Sequence, residues 1–518
     1  MRRMENTAVG RHMATKKRDI IYACLLLAYI LYNLSFLICH ENWRDEAQAW
    51  LLARDLSIPE LIAQMSYEGH PCLWHLLLMP LAKLGLPYVS MNVLSLTVMS
   101  VAVALFLWKA PLPLPFKALA LFGGAFSYYY PVIARSYCLI PLFAFMMACF
   151  YPARREKPLR YGLSIALMVQ THIIMLGMAA TASLVWLGEA IAGYRRDRGR
   201  RTLLMQGAGL TLPLLSFLFL LVQVSHPQNA TAYNLQPTDV LRLPREAALA
   251  VRELFAPFPT PLNYILALLA VGVPLWFLIR AVRKREFALL KAAVAVAVGM
   301  AWQFVIHVLI TSSTVMRTLS NFFMLLWFFW VSWPVAGDKW LRRLLALVLA
   351  AIELVTYSAY PLVFNEYRLP NSDAGHCAAF IEGTLPPDTL FLDLNEARAA
   401  SLLPHLPEGY VFYSIYDGEP VTFASWDKAH YAHMALDSYE DICAWALGKD
   451  PACGGVCLIV TNTYEALELA FLDELAPYCT DGTLVYQSPD VPMNTDEWYK
   501  LYMLPVAGGA EGDTRIDG

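Results

Sequence analysis

Long apolar stretches alternate with short polar ones over the first 361 residues, and then the pattern changes. Runs long enough to span a bilayer occupy 19–39, 89–108, 132–151, 203–224, 264–282, 288–310, 320–336 and 341–361. Shorter or interrupted runs lie at 71–86, 114–130, 160–172 and 173–192. The first run follows Lys16, Lys17 and Arg18, is as long as a full span and has no small-residue cleavage site, so it reads as a retained anchor. Beyond residue 361, helical patches (374–384, 394–403, 438–447, 464–476) alternate with short strands at Thr389–Asp393, Val411–Ile415, Val456–Thr461 and Thr483–Gln487. This alternation predicts a small α/β sheet domain. The pattern divides the chain into a membrane unit, 1–361, and a soluble unit, 362–518.

Charge sharpens the division. The 518 residues are 58% hydrophobic and 16% charged, well below the charge of a soluble domain. Disorder, collagen and small disulfide scaffolds are thereby excluded. Residues 1–361 hold 33 Lys and Arg against 17 Asp and Glu, whereas 362–518 hold 6 against 25. Six stretches (1–18, 109–117, 153–160, 194–201, 280–291 and 338–343) carry 25 of the 39 basic residues. Placing all six in the cytoplasm satisfies the positive-inside rule. The outer face then receives 40–70, 128–137, the turn near His172, 225–263, 311–319 and the whole tail. For 40–70 and 109–117 to lie on opposite sides, one of the runs 71–86 and 89–108 must fail to cross. The shorter, which ends in Gly85-Leu86-Pro87, is the expected failure. Eleven net crossings and an external Gly518 follow, in a bacterial plasma membrane. The tail has no GxGxxG, P-loop or metal-ligand spacing. Its five cysteines permit one or two disulfides, and Cys453-Gly-Gly-Val-Cys457 reads as a structural pair.

Candidate chemistry concentrates on the outer side. Six carboxylates fall between 41 and 68. Trp43, Ala47, Trp50 and Leu51 recur at helical spacing, which predicts an amphipathic helix on the membrane surface. Ser57 with Glu60 is a capping box opening a second short helix. Asp45 and Glu46 diverge by about 100° on a helix, so they cannot face one another as a glycosidase pair. One of them, directed into a cavity, can act as a general base; the plain alternative is a solvated helix face. Arg135 lies at the next outer turn, and Gln303, His307 and Arg317 at the outer end of a later span. A guanidinium binds phosphate oxygens bidentately and keeps its charge. Taken singly, Arg135 reads as an interfacial anchor, and His172 and His307 as hydrogen-bonded helix-end residues. Their convergence on one face is the stronger signal. Glu353 reads as a helix–helix hydrogen bond, and the aromatic run Trp327–Trp333 as packing. Asn229-Ala-Thr231 is a glycosylation sequon that matters only in a eukaryote.

In order along the chain come an outer loop with Asp45-Glu46, then His70-Pro71 opening an apolar run, Ala134-Arg135-Ser-Tyr137 and Thr171-His172. In this set the sequence resembles the GT-C class of integral-membrane glycosyltransferases, which includes the protein O-mannosyltransferases and the lipid A aminoarabinose transferases. The match covers roughly the first 190 residues and departs from the pattern at Cys72, where the class usually has a second proline. The resemblance implies an α-helical polytopic membrane protein with an extracytoplasmic C-terminal α/β domain. It implies inverting transfer of a sugar from a polyprenyl-phosphate-linked donor to a hydroxyl of a lipid, glycan or protein acceptor, in the bilayer and without nucleic acid. Asp45 is then the base, Glu46 orients the acceptor or sugar, and Arg135 and Arg317 hold the lipid phosphate. His70, Tyr137 and His172 complete the donor site. No Asp-x-Asp stands in the first loop, so the pattern requires no divalent metal. The rival classes are a secondary transporter, which predicts an inverted repeat and midplane polar residues, and a sensor or scaffold. The chain shows no internal repeat.

Overall fold

The computed structural model describes residues 8–225, 286–309, 314–335, 363–462 and 466–506, with scattered helical positions between 272 and 283 and between 342 and 350. Most of the expected spans 264–282 and 341–361, Glu353, the sequon at Asn229 and Gly518 lie outside the described residues.

The first helix, α1 (Ala8–Leu37), runs beside α5 (Ser90–Lys109). Between them lie three shorter helices. In α2 (Arg44–Asp55), Glu46 folds back so that its Oε2 accepts the Trp43 N–H at 3.3 Å, closing the first turn. The expected capping box starts α3 (Ile58–Glu68), with the Ser57 N–H donating to Glu60 at 2.8 Å. Gly69 ends α3 in the left-handed region, φ 68°, where a side chain would be strained. The next helix, α4 (Leu73–Lys83), has eleven residues. At 1.5 Å per residue it is about 16 Å long, half a bilayer. The helix within the run 71–86 is thus shorter than a bilayer is thick.

The run 114–130 is not one span. Its helix α6 (Leu114–Leu121) stops before Gly123-Gly124, and turns carry the chain to Arg135. A 3-10 turn, Ser136–Cys138, leads into α7 (Leu139–Phe150). Then follow α8 (Pro158–Val169), α9 (Leu176–Asp197), α10 (Arg200–Gln223), α11 (Phe287–Leu309) and α12 (Val315–Ser332). Among the described residues, six segments are long and apolar enough to cross a membrane: Lys16–Leu37, Ser90–Lys109, Ile173–Arg196, Arg200–Gln223, Leu289–Val308 and Val315–Ser332. The expected span 132–151 holds a shorter apolar helix, Ser136–Phe150, made of the 3-10 turn and α7. The aromatic run in α12 is buried, as the packing reading required.

The tail folds as a six-stranded mixed sheet, with α13 (Ala374–Thr384) ahead of β1 (Leu390–Asp393). The other elements are α14 (Glu396–Ala399), β2 (Phe412–Ser414), β3 (Pro420–Val421), α15 (Tyr439–Lys449), β4 (Gly455–Val460), α16 (Ala466–Leu475), β5 (Leu484–Gln487) and β6 (Lys500–Pro505). The order is β3-β2-β1-β4-β6-β5, with β1 parallel to β2 and β4 and the remaining pairs antiparallel. Side chains alternate between the two faces. Phe391 and Cys457 pack towards α13, and Leu392 and Leu458 towards α15 and α16. This geometry corrects the cysteine reading. All ten cysteines are unbonded. Cys453 packs in the core on the α15 face and Cys457 in the core on the opposite face, so the sheet separates them.

The surface-helix expectation for α2 is corrected too. Eight of its residues, Glu46 to Ala53, are buried. Trp50 packs into the membrane bundle, while Leu51 joins the core of the tail domain. The helix is a wedge between the two units. Polar contacts reinforce it: the Arg44 N–H donates to Glu497 at 2.7 Å, and its guanidinium meets Asp496 at 2.9 Å.

Candidate active site

At this wedge, the N-terminal turn of α2 meets the turn before α7. The Arg135 Nη1 donates to the Asp45 Oδ2, and Arg44 Nε lies 3.7 Å from the other oxygen. Asp45 is about one-third exposed, whereas the Arg135 side chain is 15% exposed. Desolvation alone would raise the Asp45 pKa, but Arg135, Arg44 and Arg317 outweigh it and hold the carboxyl below its ordinary value. Two guanidinium groups thus meet one carboxylate, and the charge of a third acts on it from further off.

Asp45 and Arg135 line a cavity of about 40 Å³ together with Gln48, Glu68, His70, His75 and Trp426. That volume holds a water or two, and it opens outward, since Asp45 on its lining is one-third exposed. Its outer wall belongs to the tail. Gln48 accepts the Ala424 N–H at 2.9 Å and donates to the Ala424 carbonyl at 3.0 Å, fixing the loop that carries Trp426. Glu68 Oε1 accepts from Gln48 at 2.8 Å and from the Trp426 indole at 2.9 Å. Burial raises the Glu68 pKa to about 7, against the opposing pull of these donors and of Arg135. Burial likewise lowers His70, assisted by Arg135, to about 4, so its imidazole is neutral at pH 7. A neutral His70 can donate a hydrogen bond to a phosphate but supplies no charge.

Of the residues expected at the site, Asp45, His70 and Arg135 share the cavity. Tyr137 and His172 stand behind it, stacked at 5.0 Å, with His172 6.3 Å from His70. His172 Nδ1 also accepts the Ile174 N–H at 3.3 Å, the helix-end role. Arg317 occupies the first turn of α12, where its carbonyl accepts from Gln303 at 2.6 Å. Tyr130 ties this turn to the Arg135 segment by donating to the Met316 carbonyl at 2.8 Å.

Glu46 is placed differently from its expected role. Its side chain is fully buried and turns away from the cavity. Oε1 accepts the Ala134 N–H at 2.6 Å and Asn92 at 3.3 Å, and Oε2 meets His40 at 3.0 Å. With its oxygens so occupied, it anchors the backbone beside Arg135. The sequence reading missed Glu68, Gln48, His75 and Trp426. Glu68 had one visible signal, a carboxylate two residues before His70-Pro71 in an acidic loop. Trp426 had none.

No family model matches the chain, and no curated protein matches it. Among solved structures, the fold is similar to ArnT from Cupriavidus metallidurans in the apo state, with TM-score 0.49 and 13% identity over 96% of this chain and 100% of that one. It is also similar to ArnT from Cupriavidus metallidurans bound to undecaprenyl phosphate, with TM-score 0.47 and 12% identity over 98% of this chain and 100% of that one.

Proposed function

We propose that the chain transfers a sugar from a polyprenyl-phosphate-linked donor to an acceptor hydroxyl at the outer face of the membrane. The observation that carries this is the paired chemistry of one cavity, Arg135 beside the carboxylates Asp45 and Glu68, at the head of an apolar helix bundle. A guanidinium can hold the lipid phosphate and stabilise its charge as it leaves. A carboxylate can take the acceptor proton. The outer-loop motifs and their resemblance to the GT-C class support the same reading. The groups lining this cavity come from the short helices, turns and tail loop outside the long apolar spans, which does not suit a transporter with a midplane site. The test is a proteoliposome assay with a panel of polyprenyl-phosphate sugars, including pentose, hexose and amino-sugar donors. Protein-dependent release of polyprenyl phosphate is the expected result. Failure with every donor and acceptor, together with uptake of a free solute, would replace the enzyme with a transporter.

The site's sidedness follows from the distribution of basic residues. The connection from α9 to α10 is cytoplasmic and the tail domain is external. In a variant with the exposed Cys24 and Cys39 changed to serine, a membrane-impermeant thiol reagent applied to intact cells will modify Lys428→Cys and spare Arg195→Cys. The reverse labelling pattern would invert the topology.

A further inference from the structure

The cavity holds two carboxylates that differ in what surrounds them. Asp45 is bound to Arg135 and faces Arg44, the arrangement of a counter-ion. Glu68 ends α3, and the donors it accepts from within the cavity are the neutral amide of Gln48 and the neutral indole of Trp426. Both line the same cavity as Arg135. We infer that Glu68 is the general base of the transfer and that Asp45 is a positioning residue that aims Arg135. This rests on the reading that the cavity performs a sugar transfer.

The step balances without a co-reactant. The acceptor oxygen forms a bond to the anomeric carbon while its proton passes to a Glu68 oxygen. The bond from the anomeric carbon to the phosphate oxygen breaks, and its electron pair leaves with the polyprenyl phosphate. The added negative charge on that phosphate falls where Arg135 can meet it. Asp45 is the poorer acceptor, because taking a proton would cancel its attraction to the guanidinium that the leaving group needs.

The acidity of the two groups agrees with this division. General-base catalysis works best when the base's pKa lies near the operating pH. Burial brings Glu68 to about 7, while the arginines hold Asp45 below its ordinary value. The ionisable groups lining the cavity with Glu68 are Asp45 on α2, His70 after α3, His75 on α4 and Arg135 before α7. The only ionisable side chains of α10, which packs on α3, are Arg200 and Arg201 at its opposite end. The tail takes part directly, since Trp426 and, through Gln48, Ala424 hold the carboxylate in place.

The test compares wild type, Glu68→Gln, Glu68→Asp and Asp45→Asn as full-length protein in proteoliposomes, measuring kcat and kcat/KM from pH 5 to 9. An amide at 68 can still accept from Gln48 and Trp426, so Glu68→Gln should fold and bind polyprenyl phosphate as wild type does. Its kcat should fall by about 10²–10⁴, and the acidic limb of the profile near pH 7 should disappear. Glu68→Asp should recover part of the rate and keep a limb. Asp45→Asn should weaken donor use yet retain the limb near pH 7. If Glu68→Gln keeps its rate and limb while Asp45→Asn loses both, Asp45 is the base and the inference is overturned, with the transfer reading intact. If wild type itself transfers no sugar, the functional reading fails first and takes the inference with it.

Discussion

Arg135→Ala will lower kcat/KM for a polyprenyl-phosphate sugar by about 10²–10³, the loss typical when one preorganised donor to a developing anion is removed. The reason is positional as much as electrostatic. The Ala134 N–H is held by a buried Glu46, and Tyr130 is fastened to the start of α12, so the guanidinium projects from a fixed turn. A fixed charge costs little reorganisation when the phosphate departs. Arg135→Lys keeps the charge but loses the fork, and should fall between alanine and wild type. Arg317 should show the same ordering, because its charge reaches the same carboxylate from α12. The measurement is initial rate against donor concentration for each variant, with expression checked alongside. Donor dependence like wild type's in all of them would reduce both arginines to interfacial anchors.

Why Arg135 could be found in the sequence while the detail of the carboxylates could not is a matter of separation along the chain. The helices around Asp45 were legible because apolar spacing, a capping box and Gly69 are local signals. Arg135 was legible because a cation between two apolar runs stands out. Asp45 and Glu46, being adjacent, looked alike; only the folded partners show that one faces the cavity and the other Ala134 and His40. Glu68 gains its character from Gln48, 20 positions before it, and Trp426, 358 positions after it. No window on the sequence contains that contact. The same holds for α2, whose amphipathic pattern predicts one buried face; the tail covers the other. In the tail, β6 was missed because both its faces pack, Leu501 and Met503 in the core beside α13 and Tyr502 and Leu504 in the core on the other side, so its apolar positions do not alternate. The strand exists because β4 and β5 pair with it on both sides.

The second large effect is on stability. His40 stands between two fully buried carboxylates, with Nε2 3.0 Å from Glu46 and Nδ1 2.7 Å from Glu366. Tyr128 donates to the other Glu366 oxygen. Burial alone would lower the His40 pKa, but the two carboxylates reverse this and hold it at about 10. The imidazolium joins the chain after α1, the start of α2, the Tyr128 turn and the approach to the tail domain. His40→Ala would leave two buried carboxylates with no cation between them, a change that typically costs about 3–5 kcal/mol. It should appear as a much lower melting temperature in detergent. Because the folded pKa lies above the unfolded value of about 6.5, His40 contributes fully below that pH. The contribution fades as pH rises and is gone above about 10. Wild type should therefore lose stability between pH 7 and 10, and His40→Ala should lose less over that interval. Adding Glu366→Gln to His40→Ala removes one of the uncompensated charges and should restore part of the loss, an interaction that a double-mutant cycle reads directly. Equal melting temperatures for wild type and His40→Ala across that pH range would show that the buried histidine is neutral and the triad unimportant to the fold. The same cycle bears on the candidate site, since Glu46 is the member of the triad that holds Ala134, and a slackened triad would let the neighbouring Arg135 drift from its place beside Asp45.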